Sequence, residues 1–376
     1  MPLKIKDRVL PVIMGLAGGF CSLLVYLAHK IITPPKRPDY KQDKITEVAA
    51  DNITLLSTPD TIRPGIYELS FPGGMAKVGE VIEMYDNVVR RKLLEVPFGK
   101  PVKGGADFGG VYGGDPKTRL GLDYEDIELE IGVGSIPAWV ITSNVIDGVC
   151  RDAWAILIHG LGQERSYCLQ YVPMLTSLGI NCLICSYRND RDAPKSPDGK
   201  YRLGLLEYQE AEAALDYVSA RGAGQIFLYG FSMGGAIVMQ TIRQSAAAGL
   251  LSAVILDGPV LDWQRVLDNQ AKSRHLPKFV GRMTMKILEA AKSIDFNALN
   301  VIDNELDLPC PVLILHGRDD RLVPFSSSEL FQAKYPNVRL CDFEEGGHMS
   351  LMNSNKDKYQ AEVTNFLTSL SAAKTD

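Results

Sequence analysis

Three short stretches carry residues able to do chemistry together: LYGFSMGGAIVMQ around Ser232, HGRDDRLVP around Asp320 and EGGHMS around His348. A serine hydroxyl becomes a useful nucleophile only when a base takes its proton, and the base works best when a carboxylate orients it. Gly230, Ser232 and Gly234 form a G-x-S-x-G pattern, which by itself is weak evidence. Its context is stronger. QIFLYG reads as a short apolar strand, Ser232 follows at its C-terminal end, and GGAIVMQTIRQ opens a helix. A sharp strand-to-helix turn strains the nucleophile's backbone and leaves no room for side chains two residues away, hence the glycines. Ser232 is then expected at a helix N-terminus, where the dipole favours developing negative charge.

Five histidines are available as the base. His29 abuts an N-terminal apolar run and His275 lies in a helical excursion. His159 and His316 each precede a glycine at a strand end, where an imidazole more often braces a loop. His348 follows the last apolar strand on a glycine loop, where a mobile general base belongs. For the orienting carboxylate, Asp319 and Asp320 both lie just past a strand end. Asp320 is favoured because RLVP anchors its turn, with Asp319 expected to face solvent; Asp257, ending SAVILDG, is the reserve. Acyl hydrolysis also needs backbone N–H donors for an oxyanion. Met233, directly after the nucleophile, and Leu161, in HGLGQ, are the expected pair.

The elements that must position these residues alternate. Apolar runs such as AWAILIHG, INCLICSY, QIFLYG, SAVILDG and PVLILHG are interleaved with helical patterns over residues 121–376. This specifies an α/β architecture, a mostly parallel sheet with helices on both faces. Residues 258–308 read as a helical cap, in which Trp263, Leu267, Leu276, Phe279, Met283 and Met285 are candidates to line an acyl pocket. Residues 51–120 read as a β-rich accessory region covering one edge of the main domain, with no cluster suggesting chemistry. Residues 31–50, proline-rich and charged, read as a stiff tether. Cys182 and Cys185 lie three apart in a strand pattern that points them to opposite faces, and the seven cysteines show no metal-like spacing.

Composition narrows the function. With 46% hydrophobic and 23% charged residues the chain is an ordinary globular one, and a net charge of -5 with mixed signs offers no face for nucleic acid. The exception is Val9 to Ala28, an uncharged run of the length, about 20 residues, that spans a bilayer. It reads as one N-terminal transmembrane helix over residues 1–30, a membrane anchor with the catalytic domain outside the cytoplasm. A cleaved signal peptide is the alternative, with Lys4, Lys6 and Arg8 as its basic end and Ala17 and Gly19 framing the cleavage site. The charge rule does not settle orientation.

As a set, LIHGLG, GFSMGG, HGRDDRLVP and EGGHMS resemble the α/β-hydrolase superfamily over roughly Leu120 to Asp376. The chain order Ser232, Asp320, His348 is the one that superfamily uses. The chain looks most like the serine hydrolases of the monoglyceride-lipase and prolyl-peptidase-like branch, in particular membrane-anchored or exported actinobacterial members with an N-terminal extension. The resemblance implies esterase, lipase or peptidase chemistry on an ester, lipid or peptide substrate, without a metal or organic cofactor. SYRNDRDAPKSPDGKYRLG departs from the shorter loop common in that branch. An acyltransferase using the same triad and a non-catalytic binding protein of the same fold are the rival expectations.

Overall fold

The computed structural model describes residues 6–36, 39–109, 113–145, 148, 150 and 152–372, with side chains described over 19–370 of that set. Helix α1 (Lys6–Ile32) leads into β1 (Asp43–Val48), β2 (Asn52–Leu56), β3 (Tyr67–Phe71), β4 (Gly74–Tyr85), β5 (Val88–Phe98) and β6 (Gly104–Phe108). These six strands close on one another in the order β1-β2-β5-β4-β3-β6, a barrel without free edges. Its interior buries Ile45, Ile53, Leu55, Leu69, Phe71 and Val78, and the fully buried Arg91 lies against the Tyr67 and Phe108 rings of the same core. Residues 43–48, expected within the tether, are thus a barrel strand.

After α2 (Pro116–Leu120) come β7 (Glu125–Ile131), β8 (Gly134–Ile141), β9 (Ala153–Ile158), α3 (Val172–Ser177), β10 (Asn181–Cys185), α4 (Tyr208–Ala220), β11 (Gln225–Phe231), α5 (Met233–Gln244), β12 (Ala253–Asp257), α6 (Trp263–Ser273) and α7 (Lys278–Lys292). The chain closes with β13 (Val312–Gly317), α8 (Ser326–Lys334), β14 (Val338–Phe343), α9 (Leu351–Ser354) and α10 (Lys356–Ala372). The eight-stranded sheet has the order β14-β13-β12-β11-β9-β10-β8-β7. Strands β9 to β14 run parallel, and β8 and β7 add antiparallel at one side. Every residue of β9, β11, β12 and β13 is buried, as expected of strands covered on both faces. The two faces make separate cores: Cys185 belongs to one and Cys182 to the other. Cys21, Cys168, Cys182, Cys185, Cys310 and Cys341 are free thiols.

The membrane-spanning anchor is not borne out. Among the described residues no helix is long and apolar enough to cross a membrane, so the expected membrane localisation falls with it. One side of the end of α1 is instead packed on the protein, while Leu23, Val25 and Tyr26 stay exposed. Leu24, Ala28 and Ile32 are buried, the last two inside the main core, and Phe20 meets Phe279 of α7 with ring centroids 5.8 Å apart. The chain beyond is also held: Tyr201 N–H donates to the Ile32 carbonyl at 2.9 Å, and Lys200 Nζ donates to Thr33 Oγ1 at 2.7 Å. Lys4, and the side chains of Lys6, Arg8 and Ala17, lie outside the described residues. Burial against a cap and burial in a bilayer ask the same composition of an apolar helix.

Candidate active site

Ser232 stands between β11 and α5 with φ 53° and ψ −113°, a conformation L-residues rarely adopt and one that costs on the order of 1–3 kcal/mol. Its surroundings hold it there. Ser232 N–H donates to the Asp257 carbonyl at 2.9 Å, and its own carbonyl accepts from Gly235 and Val260 at 2.9 and 3.0 Å. A Cβ on Gly230 would lie 2.6 Å from the Gly234 carbonyl oxygen, and one on Gly234 would collide with the Ile158 carbonyl. The two glycines of the motif are therefore steric requirements of the turn.

His348 and Asp320 meet this serine. Ser232 Oγ lies 2.8 Å from His348 Nε2, and His348 Nδ1–H donates to Asp320 Oδ2 at 2.7 Å. The other oxygen of Asp320 accepts the backbone N–H groups of Leu322 and Val323 at 2.8 and 2.9 Å. His316 Nε2 lies 3.2 Å from Asp320 Oδ2, so this histidine supports the carboxylate from behind. Burial alone would raise the Asp320 carboxyl. The adjacent His348, and hydrogen bonds from His316 and His348, hold it well below the usual carboxylate range. Burial opposes charge on His348, yet Asp320 raises its pKa above the ordinary value of 6.5.

Two residues of this assembly escaped sequence reasoning. Asp319, expected to face solvent, accepts Gly347 N–H at 2.7 Å and so ties down the turn preceding His348. Arg63, from the loop between β2 and β3 of the barrel, reaches across to Gly346, whose carbonyl accepts from its Nη1 at 3.4 Å, and to Asp319 at 3.8 Å. Its guanidinium fills the space a side chain at Gly347 would need. Arg63 is placed in turn by Arg91, which is fully buried and donates to the carbonyls of Gly79, Thr61, Arg63 and Gly65 at 2.7 to 2.9 Å. The accessory region therefore reaches the loop that bears His348, which its glycine- and strand-rich composition did not suggest.

The loop after β9 lies beside the nucleophile: a Cβ on Gly160 would be 3.2 Å from Ser232 Cβ. The Gly160 carbonyl is gripped by Tyr187 Oη–H at 2.8 Å and His159 Nδ1 at 3.0 Å. Because a trans peptide sets C=O and N–H antiparallel, this grip turns the Leu161 N–H the opposite way, and Leu161 lines the cavity that contains Ser232 and His348. The other ring nitrogen of His159 lies 2.9 Å from Asp190 Oδ2. Burial disfavours charge on His159, but Asp190 raises its pKa above the ordinary range, consistent with both nitrogens facing oxygens. Asp190 and Tyr187 belong to the loop that departs from the resemblance, which was the available signal for them. Met233 is fully buried at the start of α5, directly after Ser232.

Asp257, the reserve carboxylate, is not joined to His348 by a hydrogen bond. Its Oδ2 accepts from Tyr359 at 3.0 Å and Tyr171 at 3.5 Å within a cluster of buried tyrosines, and burial pushes its pKa up to about 6. His275 lies at the end of α6 and His29 in α1, away from the triad's hydrogen bonds. Among the described residues no group of three or more His, Cys, Asp or Glu side chains is gathered as a metal site requires.

The site opens into a largely apolar cavity of about 750 Å³ containing Ser232, His348 and Leu161. Trp263, Leu267 and Leu276 of the cap line it, as expected, together with Leu23 and Ile31 of α1, which the bilayer reading had removed from consideration. Phe279 and Met283 are instead exposed, and Met285 packs in the core. Asp262 starts α6 by accepting Gln264 N–H at 2.7 Å, which sets the cap over the site.

A parallel sheet with a strained serine between β11 and α5, and an acid and a histidine on later loops, defines an α/β-fold hydrolase. The chain belongs to the alpha/beta hydrolase family, whose model matches residues 155–361. Residues 44–108 match a second model, described as a domain of unknown function (DUF8805). The chain is 27% identical over 262 residues to the alpha/beta hydrolase domain-containing protein WAV2 of Arabidopsis thaliana, covering 66% of this chain and 80% of that protein. It is 28% identical over 182 residues to lysophosphatidylserine lipase ABHD12 of Danio rerio, covering 45% and 44%. In structure it resembles the Pyrococcus furiosus esterase Pf2001, with a TM-score of 0.54 at 19% identity over 68% of this chain and 94% of that one. These similarities support hydrolase activity.

Proposed function

We propose that the protein is a serine hydrolase that cleaves an ester, or a related thioester or amide, through an acyl-enzyme on Ser232. The observation that carries this reading is the unbroken relay from Asp320 through His348 to Ser232, with contacts of 2.7 and 2.8 Å. In this mechanism His348 Nε2 takes the Ser232 proton as Oγ attacks the carbonyl carbon. Leu161 and Met233 N–H groups receive the oxyanion, and His348 returns the proton to the departing group as the tetrahedral intermediate collapses. Water, deprotonated by the same histidine, then releases the acid. The strained backbone at Ser232 favours a working nucleophile over an idle scaffold.

The test is labelling of the full chain with a fluorophosphonate probe beside the Ser232→Ala protein, followed by a screen of esters. Labelling of the native protein alone is expected; a folded native protein that neither labels nor turns over an ester would remove the assignment. The role of the Gly160 carbonyl is open to a separate experiment. Tyr187→Phe deletes one hydrogen bond to it, so kcat should fall about tenfold with KM little changed, because only the transition state loses a well-aimed donor. An unaltered kcat would deny Tyr187 a positioning role.

A further inference from the structure

Two cavities meet at His348, and they differ in character. The apolar one contains Ser232 and is walled by α1, α6 and α7. The second, about 470 Å³, is lined by His348 without Ser232 and lies between the barrel and the loops of the hydrolase sheet. Its barrel wall includes Gln42, Asp60, Arg63 and Asp107, and it is completed opposite by Gln270 and Arg321. Gln163, Gln270 and Leu322 border both spaces, which makes them adjoining halves of one site.

The chemistry assigns a direction to these halves. In acyl transfer the acyl carbon ends on Ser232 Oγ, so the acyl chain must occupy the cavity that contains the serine. The leaving oxygen accepts its proton from His348 Nε2 as the C–O bond breaks, so the alcohol must depart on the histidine's side. We propose that the barrel builds the leaving-group half of the active site, and that the substrate is an ester joining an apolar acyl chain to a neutral polyhydroxylated alcohol. This assignment rests on the serine-hydrolase reading.

The lining explains the alcohol. Two guanidinium groups and two carboxylates balance in charge, and three Gln amides add donors and acceptors on the walls. Hydroxyl groups, which both donate and accept, can pair with such a mixed set. A strongly anionic group would face Asp60 and Asp107, and a cationic one Arg63 and Arg321. An alkyl alcohol would strip water from these polar groups without replacing its hydrogen bonds. Arg63 thus serves twice, as a wall of this cavity and as a brace for the Gly346–Gly347 turn.

The experiment compares kcat/KM for 1-decanoylglycerol and ethyl decanoate, which share an acyl chain and differ in the alcohol. It is run on the full-length protein and on Gln42→Ala and Asp60→Ala, two exposed positions just before β1 and in the β2–β3 loop, with thermal unfolding of each variant measured alongside. The glyceryl ester should be preferred by the native protein, and the ratio of the two constants should drop about tenfold in each variant. Reading the ratio cancels any effect on His348 transmitted through Arg63. Turnover of both esters with no glyceryl preference, or a ratio unmoved in both variants, overturns the barrel subsite and leaves the hydrolase standing. Absence of turnover on either ester, with Ser232 unlabelled by fluorophosphonate, overturns both together.

Discussion

Ser232→Ala is expected to lower kcat on any accepted ester by about a million-fold, without a change in thermal unfolding. The size of the effect follows from where the hydroxyl sits. Its oxygen is 2.8 Å from His348 Nε2, whose ring is joined to Asp320 through Nδ1, and the proposed acyl-enzyme needs that oxygen to form its bond. Stability should hold because the backbone interactions of the turn, Ser232 N–H to Asp257 and the Gly235 and Val260 N–H groups to Ser232, survive the loss of Oγ. Residual hydrolysis from oxyanion stabilisation and binding alone remains possible at the level of about 10³-fold over water. A variant retaining a hundredth of native turnover would place the nucleophile elsewhere.

The elbow and the sheet were legible because local rules determine them. A buried parallel strand needs a continuous apolar run, and a nucleophile on a sharp turn needs glycines two residues to either side, so QIFLYGFSMGG announces both. His348 and Asp320 were legible by order along the chain and by elimination among few histidines. What stayed hidden depends on contacts between distant segments. Arg63 is one of many surface-type arginines until the barrel closes and Arg91 draws the carbonyls of residues 61, 63 and 65 around its guanidinium. Asp320 was favoured over Asp319 by its RLVP turn, but that Asp319 holds the Gly347 N–H appears only in the fold. The uncharged run of α1 misled for a related reason: apolar composition records that a surface is buried, but not what buries it. Leu24, Ala28 and Ile32 are covered by the protein itself, and the neighbouring Leu23 and Ile31 line the cavity that holds Ser232.

The second large effect separates Asp320, the favoured carboxylate, from Asp257, the reserve. Asp320→Asn should lower kcat by about 10⁴-fold. Its retained oxygen can still accept from Leu322 and Val323, which leaves an NH2 group facing His348 Nδ1. Two donors repel, so the imidazole is driven to the tautomer with its proton on Nε2 and can no longer accept one from Ser232. Asp257→Asn should cost less than about tenfold, since its partners are tyrosine hydroxyls. The pH profile supplies an independent sign. A general base works when neutral, and Asp320 raises His348 above 6.5, so native kcat/KM should climb as pH rises through a value above 6.5. With the charge at 320 gone, the residual activity should begin its climb at lower pH, because burial then acts on the imidazolium without the carboxylate to offset it. If instead Asp257→Asn shows the larger loss and the acid-side shift, at normal thermal stability, the orienting role belongs to Asp257 and the 2.7 Å contact of Asp320 is structural.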